Sequence, residues 1–302
     1  MVKIESAGFL SWKNCLRLSN GDAELIVSTE IGPRVISYRA AGGKNFFKVF
    51  PEQFGADPSE WRSYGGHRLW HAPEIFPRAY YPDNSPVKYD WNGRTLTLDC
   101  PEETTTRLQK LITIELAESG SEVKLEHRIY NRNPWPVTFA PWCLSVMAEG
   151  GRAIIPQEPF VPHGQNPGES FEPARPLVLW RFTKMSDPRF IWGGKYIQLK
   201  EDASQPSKQK IGVTNKQRWA AYVLGGQTFL KRHDYEPGAV YPDGGCNAEF
   251  FTMPGFLEIE SMGRLEPVEP GAFARLCESW SIHNVSPSES EDDIAGQLKG
   301  IV

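Results

Sequence analysis

The chain lacks a pairable set of cysteines. Its five, Cys15, Cys100, Cys143, Cys246 and Cys277, are odd in number, widely spaced and without a C-x-x-C. That speaks against a disulfide framework and for reduced thiols in a cytoplasmic protein. There is no basic block, and the net charge is -4. A nucleic acid or an anionic membrane is therefore disfavoured as the main partner. No stretch approaches a membrane span, and the opening Met1-Val2-Lys3-Ile4-Glu5 lacks the apolar core of an export signal. G-x-S-x-G, the P-loop and a dinucleotide fingerprint are all missing, so no cofactor is expected. No short-period repeat and no composition shift divides the chain, which reads as one domain over residues 1–302.

Aromatic residues are what the chain has in plenty: ten Trp, ten Tyr and sixteen Phe. Such richness suits stacking on sugar faces, and it suits an aromatic β-core equally well. At 302 residues the chain can bury a large core without a metal or disulfide staple.

Short strand patterns separated by Gly or Pro fill most of the length. Ala23 to Ser28 and Arg34 to Tyr38 read as strands of the opening hairpins. Asn92-Gly93 marks a hairpin turn between Val87–Asp90 and Thr95–Leu98. Leu108 to Leu116 and Val123 to Tyr130 are longer strands, and the second alternates apolar and polar residues. His127 falls on its apolar side and reads as a hydrogen-bonded core residue. Further strands are expected at Val137–Ala140, Leu144–Met147, Leu177–Trp180, Tyr196–Leu199, Trp219–Val223, Asn247–Thr252, Phe256–Ser261 and Ala274–Trp280. Residues 201–210 read as a polar loop. Only Ser288 to Leu298 reads as a helix, with a serine cap and acidic residues in its first turn. Many strands without intervening helices predict an all-β protein, one large β-sandwich with a short C-terminal helix.

Two stretches concentrate chemistry. The first is Ser63-Tyr64-Gly65-Gly66-His67-Arg68-Leu69-Trp70-His71-Ala72-Pro73-Glu74. If it runs extended, His67, Leu69 and His71 share one face while Arg68, Trp70 and Ala72 share the other. It reads as the edge of a binding cleft, or as a buried aromatic strand with satisfied histidines. His67-x3-His71-x2-Glu74 offers metal-ligand types, but on a strand His67 and Glu74 face opposite ways, so no metal is expected. The second stretch runs from Lys231-Arg232-His233-Asp234 to Asp243-Gly244-Gly245-Cys246-Asn247-Ala248-Glu249-Phe250-Phe251. Glu249 beside two aromatic rings is either a carboxyl tuned toward neutrality or an exposed residue of an alternating strand. Lys-Arg-His-Asp reads first as a solvated turn. The proline-bearing loop at 156–176 is expected to border the cleft, with His163 facing the ligand without a catalytic role.

The order of short motifs over residues 14–283 resembles the galactose-mutarotase-like superfamily. Ser19-Asn20-Gly21 with Glu24-Leu25-Ile26-Val27 and Gly32-Pro33-Arg34-Val35 carries the opening of that likeness. Phe256-Leu257-Glu258-Ile259-Glu260, then Leu265 to Gly271, then Trp280-Ser281-Ile282 carry its end. The nearer resemblance is to an uncharacterised bacterial branch, apart from the aldose 1-epimerases proper. It implies a β-supersandwich with a sugar cleft on one concave sheet, and a small-molecule carbohydrate as partner. Tyr64-Gly65-Gly66 is similar to the epimerases' His-Gly-Gly motif, with Tyr64 in place of the histidine. Glu249 matches the position of their base, whereas Trp142 stands where their acidic histidine would be. A tryptophan cannot protonate a ring oxygen.

Mutarotation needs a base on the anomeric hydroxyl and an acid on the ring oxygen. The resemblance implies Glu249 as base; with Trp142 at the family's acid position, another acid would have to take that role, His67 first and His71 second, with His233 as a further source of the proton. Arg68, Trp70, Glu74, Trp142, Lys231, His233 and Asp243 are the expected substrate-binding residues. Arg68 would orient hydroxyls or a carboxylate, and Trp70 or Trp142 would stack on the sugar. Two functions stay open: an aldose-epimerase-like isomerase (or a lyase on the same scaffold), and a carbohydrate-binding domain that kept the cleft and lost the acid.

Overall fold

The computed structural model describes residues 1–55, 57, 59–162 and 173–302. His163 and much of the proline-bearing loop lie outside them. Two antiparallel sheets, one of eleven strands and one of ten, pack face to face. Their inner faces meet in one core, to which Leu25, Leu69, Cys143 and Ile259 contribute from the first sheet and Ile112, Leu125, Phe229 and Trp280 from the second. Each fully buried Leu or Ile is worth about 1.5–3 kcal/mol, so a sandwich this wide has apolar area to spare for buried polar groups.

The alternation read from sequence is what builds these layers. Leu108–Leu116 alternates buried and half-buried residues along all nine positions. Its neighbour Val123–Asn131 pairs with it in register from Leu108↔Asn131 to Leu116↔Val123. His127 is buried between the sheets, as its apolar parity requires. The Asn92-Gly93 turn joins Lys88–Trp91 to Leu96–Asp99. The C-terminal helix covers Glu291–Leu298 and packs Ile294 and Leu298 against the second sheet.

Three local expectations are corrected. Val137–Met147 is one strand, although Pro141 interrupts its sequence pattern. The proline is accommodated because the neighbour on one side changes there: one partner strand ends opposite Phe139, and another begins opposite Trp142. The end of the expected polar loop at 201–210 belongs to a strand, Gln209–Val213, which carries Lys210. Lys231, Arg232 and His233 close a buried strand, Gln227–His233, in place of a solvated turn.

The central stretch is held by backbone crowding. Gly65 and Gly66 have φ of 80° and 74°. A Cβ at Gly65 would meet the Lys48 carbonyl oxygen at 2.0 Å, and one at Gly66 the Val35 oxygen at 2.4 Å. Only glycine permits this conformation and this approach together. The chain leaves the pair as the strand His67–Ala72, every residue of which is buried.

Candidate functional site

That strand has two faces, and each looks into a different polar cluster. Leu69 points into the inter-sheet core, so His67 and His71 do as well. Arg68 and Trp70 point outward, away from the second sheet.

The outward cluster is laid out by strand register. One cross-strand row runs Arg68, Leu144, Glu260, Glu249 and Gly212. The next row runs Val146, Glu258, Phe251 and Lys210. A third holds Trp70, Trp142 and Met262. Gly212 is bare for a reason: a Cβ there would meet the Cys246 sulfur at 2.5 Å and the Trp180 ring at 3.2 Å. These rows floor a cavity of about 360 Å³, within the span of about 300–1,000 Å³ usual for small-molecule sites.

Its walls are aromatic. Trp70 meets Trp61, Tyr80 and Trp142 edge-on, with ring centroids 5.6, 5.1 and 5.4 Å apart. The Arg68 guanidinium lies 4.1 Å from the Trp70 ring centroid and 5.3 Å from that of Trp61. Arg68 is 3 % exposed, yet its Nε and Nη1 have no hydrogen-bond partner among the described residues. The indole nitrogens of Trp61 and Trp70 are likewise buried and unpartnered there. Burial, with Arg34 nearby, lowers the Arg68 guanidinium to about 10.

Carboxylates occupy the opposite side. Lys210 Nζ lies 2.6 Å from Glu249 Oε2 and 3.1 Å from Glu260 Oε2. Trp142 Nε1 donates to the same Glu260 oxygen at 2.8 Å. Burial works against the Lys210 ammonium, but Glu260 and Glu249 outweigh it and hold the charge. Burial pushes Glu249 well above the usual carboxylate range, against the pull of Lys210. Glu258 is half-buried and lines the cavity. Burial and the Glu260 carboxylate raise it to about 7, although Arg68 and Lys210 pull the other way. Glu74 is exposed at the rim and accepts a hydrogen bond from Tyr80.

The inward cluster is different in kind. His127 Nδ1 donates to the Leu276 carbonyl at 3.2 Å, so its other nitrogen is the acceptor when the ring is neutral. His67 Nε2 then donates to His127 Nε2 at 2.8 Å, and His67 Nδ1 accepts from Ser145 Oγ at 2.9 Å. Lys231 Nζ donates to Ser145 at 3.1 Å and pairs with Glu278 Oε1 at 3.1 Å. Ser261 and the Trp280 indole complete Glu278. Burial alone would raise Glu278, but Lys231, His127 and those two donors hold it below its ordinary value. Burial lowers His67 far below its ordinary value and His71 to about 3. Both rings are neutral at physiological pH.

The sequence-predicted residues therefore divide. Arg68, Trp70, Glu74 and Trp142 line the outer cavity together. Glu249 faces the same side with no exposed surface, and meets the cavity through Lys210. His67 and His71 are corrected to the opposite side of their strand, fully buried and away from Glu249. The expected convergence of both histidines with Glu249 does not occur, because strand parity separates them. Lys231 is corrected to the inter-sheet cluster. His233 lines a larger cavity, about 650 Å³, over the outer face of the ten-stranded sheet. Burial lowers its ring to about 4. Asp243 sits in the turn Pro242–Gly245 at φ 48°, near Glu249 without lining the cavity.

The larger cavity is the weaker site: it is edged by exposed side chains such as Glu122 and Lys124. The smaller one concentrates buried polar atoms that want partners. The triplet His67, His71 and Glu74 does not converge. His67, His127, Cys143 and Glu278 do bring one ligand-type atom each within 4.8 Å of one another. Lys231 already supplies the cation that balances Glu278 there, and the hydrogen-bond chain closes around both rings.

Sequence reading missed Lys210, Glu258 and Glu260 as site residues. Glu258-Ile259-Glu260 held the signal, since two acids flanking an apolar residue on a strand share one face.

No family model matches the chain, and no curated protein matches it. Solved structures do. A galactose mutarotase-like protein from Clostridium acetobutylicum superposes with a TM-score of 0.56 at 12% identity, covering 94% of this chain and 99% of its own. One from Lactobacillus casei gives 0.55 at 10% identity, over 89% of this chain and 100% of its own. A candidate aldose 1-epimerase from Klebsiella pneumoniae gives 0.56 at 11%, over 99% of this chain and 86% of its own. The fold is the galactose-mutarotase-like β-supersandwich. At such identities the likeness establishes the fold, and function has to be argued from the site.

Proposed function

We propose that the protein is a carbohydrate-active, aldose-epimerase-like isomerase whose sugar occupies the outer-face cavity, with Glu258 transferring the protons. The observation that carries this reading is a half-buried carboxyl, raised to about 7, inside an aromatic cavity of about 360 Å³. A carboxyl group can serve both ends of ring opening. One oxygen takes the proton of the anomeric hydroxyl while the protonated oxygen gives its own to the ring oxygen. The bond from C1 to the ring oxygen breaks, C1 becomes a carbonyl, and the carboxyl keeps one proton throughout. Closure on the other face of C1 delivers the other anomer. No histidine is required, which accords with Trp142 in the epimerases' acid position. Glu249, the base implied by the family resemblance, acts in this reading on Lys210 and Glu260, and so as a positioning residue. Burial, with the Glu260 carboxylate nearby, keeps the proton affinity of Glu258 near the working pH, where general acid–base transfer is most effective.

A second reading, a carbohydrate-binding domain without catalysis, is favoured by one observation: no histidine among the described residues lines the cavity. NMR exchange spectroscopy of anomers separates the two. Aldoses and uronates are followed with and without protein; accelerated α/β exchange supports the isomerase, and binding without acceleration supports the binding domain. The five unpaired cysteines fit a reducing, cytoplasmic setting.

A further inference from the structure

Resting on the carbohydrate reading of the cavity, we propose that its sugar carries a carboxylate, as a uronic acid does, and that Arg68 receives it. Arg68 is 97 % removed from solvent by its 3 % exposure, and two of its nitrogens have no partner among the described residues. The rings of Trp61 and Trp70 lie against it, and it lines the cavity, so the hydrogen bonds it lacks are ones a ligand there can supply. A buried charge left uncompensated is among the costliest features a fold can keep. The protein's own carboxylates do not resolve it, because Glu258, Asp83 and Glu260 act on Arg68 only through space, while Asp83 is engaged by Arg34 and Glu260 by Lys210 and Trp142.

Neutral hydroxyls could accept from the two orphan indoles, but they would leave the guanidinium without a carboxylate in hydrogen-bond contact. A planar carboxylate on the sugar supplies that contact, and Arg is the side chain best suited to it. The unpartnered donors of the cavity gather at Arg68, Trp61 and Trp70, whereas Lys210 and Trp142 are already engaged by Glu260, beside Glu258. In a pyranose uronic acid the carboxylate sits on C5 and the reacting hydroxyl on C1, with the ring oxygen between them. One sugar therefore presents its anion to Arg68 and its anomeric centre to Glu258, while the acids disfavour the reverse orientation.

Calorimetric titration at neutral pH tests this. Galacturonate, galactose and galactose 6-phosphate are compared on the unmodified protein, then on Arg68→Met and Arg68→Gln. Galacturonate should bind about 10- to 100-fold more tightly than galactose, the usual worth of a charge-assisted pair. Both variants should lose that advantage, so that within each variant galacturonate and galactose bind about equally. Equal affinities on the unmodified protein overturn the proposal, and this comparison needs no variant to fold. A preference for the 6-phosphate over galacturonate also overturns it, in favour of a phosphorylated sugar. Galacturonate binding without anomer exchange sinks the isomerase reading and leaves this one standing. Catalysed exchange of galactose with no preference for the uronate does the opposite.

Discussion

Two clusters of buried polar side chains lie on opposite sides of the His67–Ala72 strand, and they differ in completeness. Between the sheets, Lys231, Ser145, His67 and His127 pass hydrogen bonds in sequence to the Leu276 carbonyl, and Glu278 is filled on both oxygens; His71, outside that chain, is the exception, with neither ring nitrogen partnered among the described residues. On the outer face, Arg68 Nε and Nη1, both indoles and Glu260 Oε1 have no partner among the described residues. The two clusters use the same kinds of residue. A closed network specifies and rigidifies a core, whereas an open one waits for something to complete it.

The sharpest way to break the comparison is to remove a charge from each cluster. Lys231→Met leaves Glu278 buried without its cation and should cost about 3–5 kcal/mol of stability, read by urea denaturation. Arg68→Met removes a cation that has ring contacts but no ion pair among the described residues and two unpartnered nitrogens. It should leave stability unchanged or raise it by about 1 kcal/mol or more. Equal losses in the two variants would erase the distinction.

Glu258→Gln keeps shape and polarity but cannot cycle a proton. It should slow anomer exchange about 10²-fold or more and leave the denaturation midpoint nearly unmoved. Exchange at the unmodified protein should itself decline as pH rises through about 7, because the bifunctional step needs the protonated carboxyl of Glu258. A rate that instead climbs through that range would identify a simple base.

The fold was legible because its signal is repetitive. Alternation along Val123–Asn131 and the Asn92-Gly93 turn each report a local geometry that the sandwich repeats many times. The parity of the central strand was legible too, including the separation of His67 and His71 from Arg68 and Trp70. What the residues alone did not reveal was which parity faced the other sheet, since both faces are buried and neither reads as solvent. Lys210 was hidden for a related reason. It follows a polar run, and only pairing with Phe251 brings it beside acids from two other strands. Gly212 gave no sign of its role, which is to leave room for Trp180 and Cys246.

A smaller effect sharpens the same contrast. His67, His71 and His233 are held neutral by burial, the last two lowered to about 3 and about 4. The unfolded chain binds protons there first, near its ordinary histidine value of about 6.5. Their contribution is whole above that pH and is lost as pH falls from about 6.5 toward those lowered values. Glu258 works in the opposite direction. Its native carboxyl takes up protons more readily than the unfolded one, so its contribution is lost as pH rises from about 4.3 to about 7, one group against three histidines. Melting temperatures across pH 4 to 8 should therefore fall clearly on the acid side and only gently on the neutral side. His71→Gln should flatten the acid limb.

The most direct measurement is a crystal structure of the protein with galacturonate bound. Density is expected in the outer cavity, with the carboxylate against Arg68 and the anomeric carbon beside Glu258. Density over the ten-stranded sheet, beside His233 and Arg232, or a sugar turned so that its carboxylate avoids Arg68, would contradict the assignment.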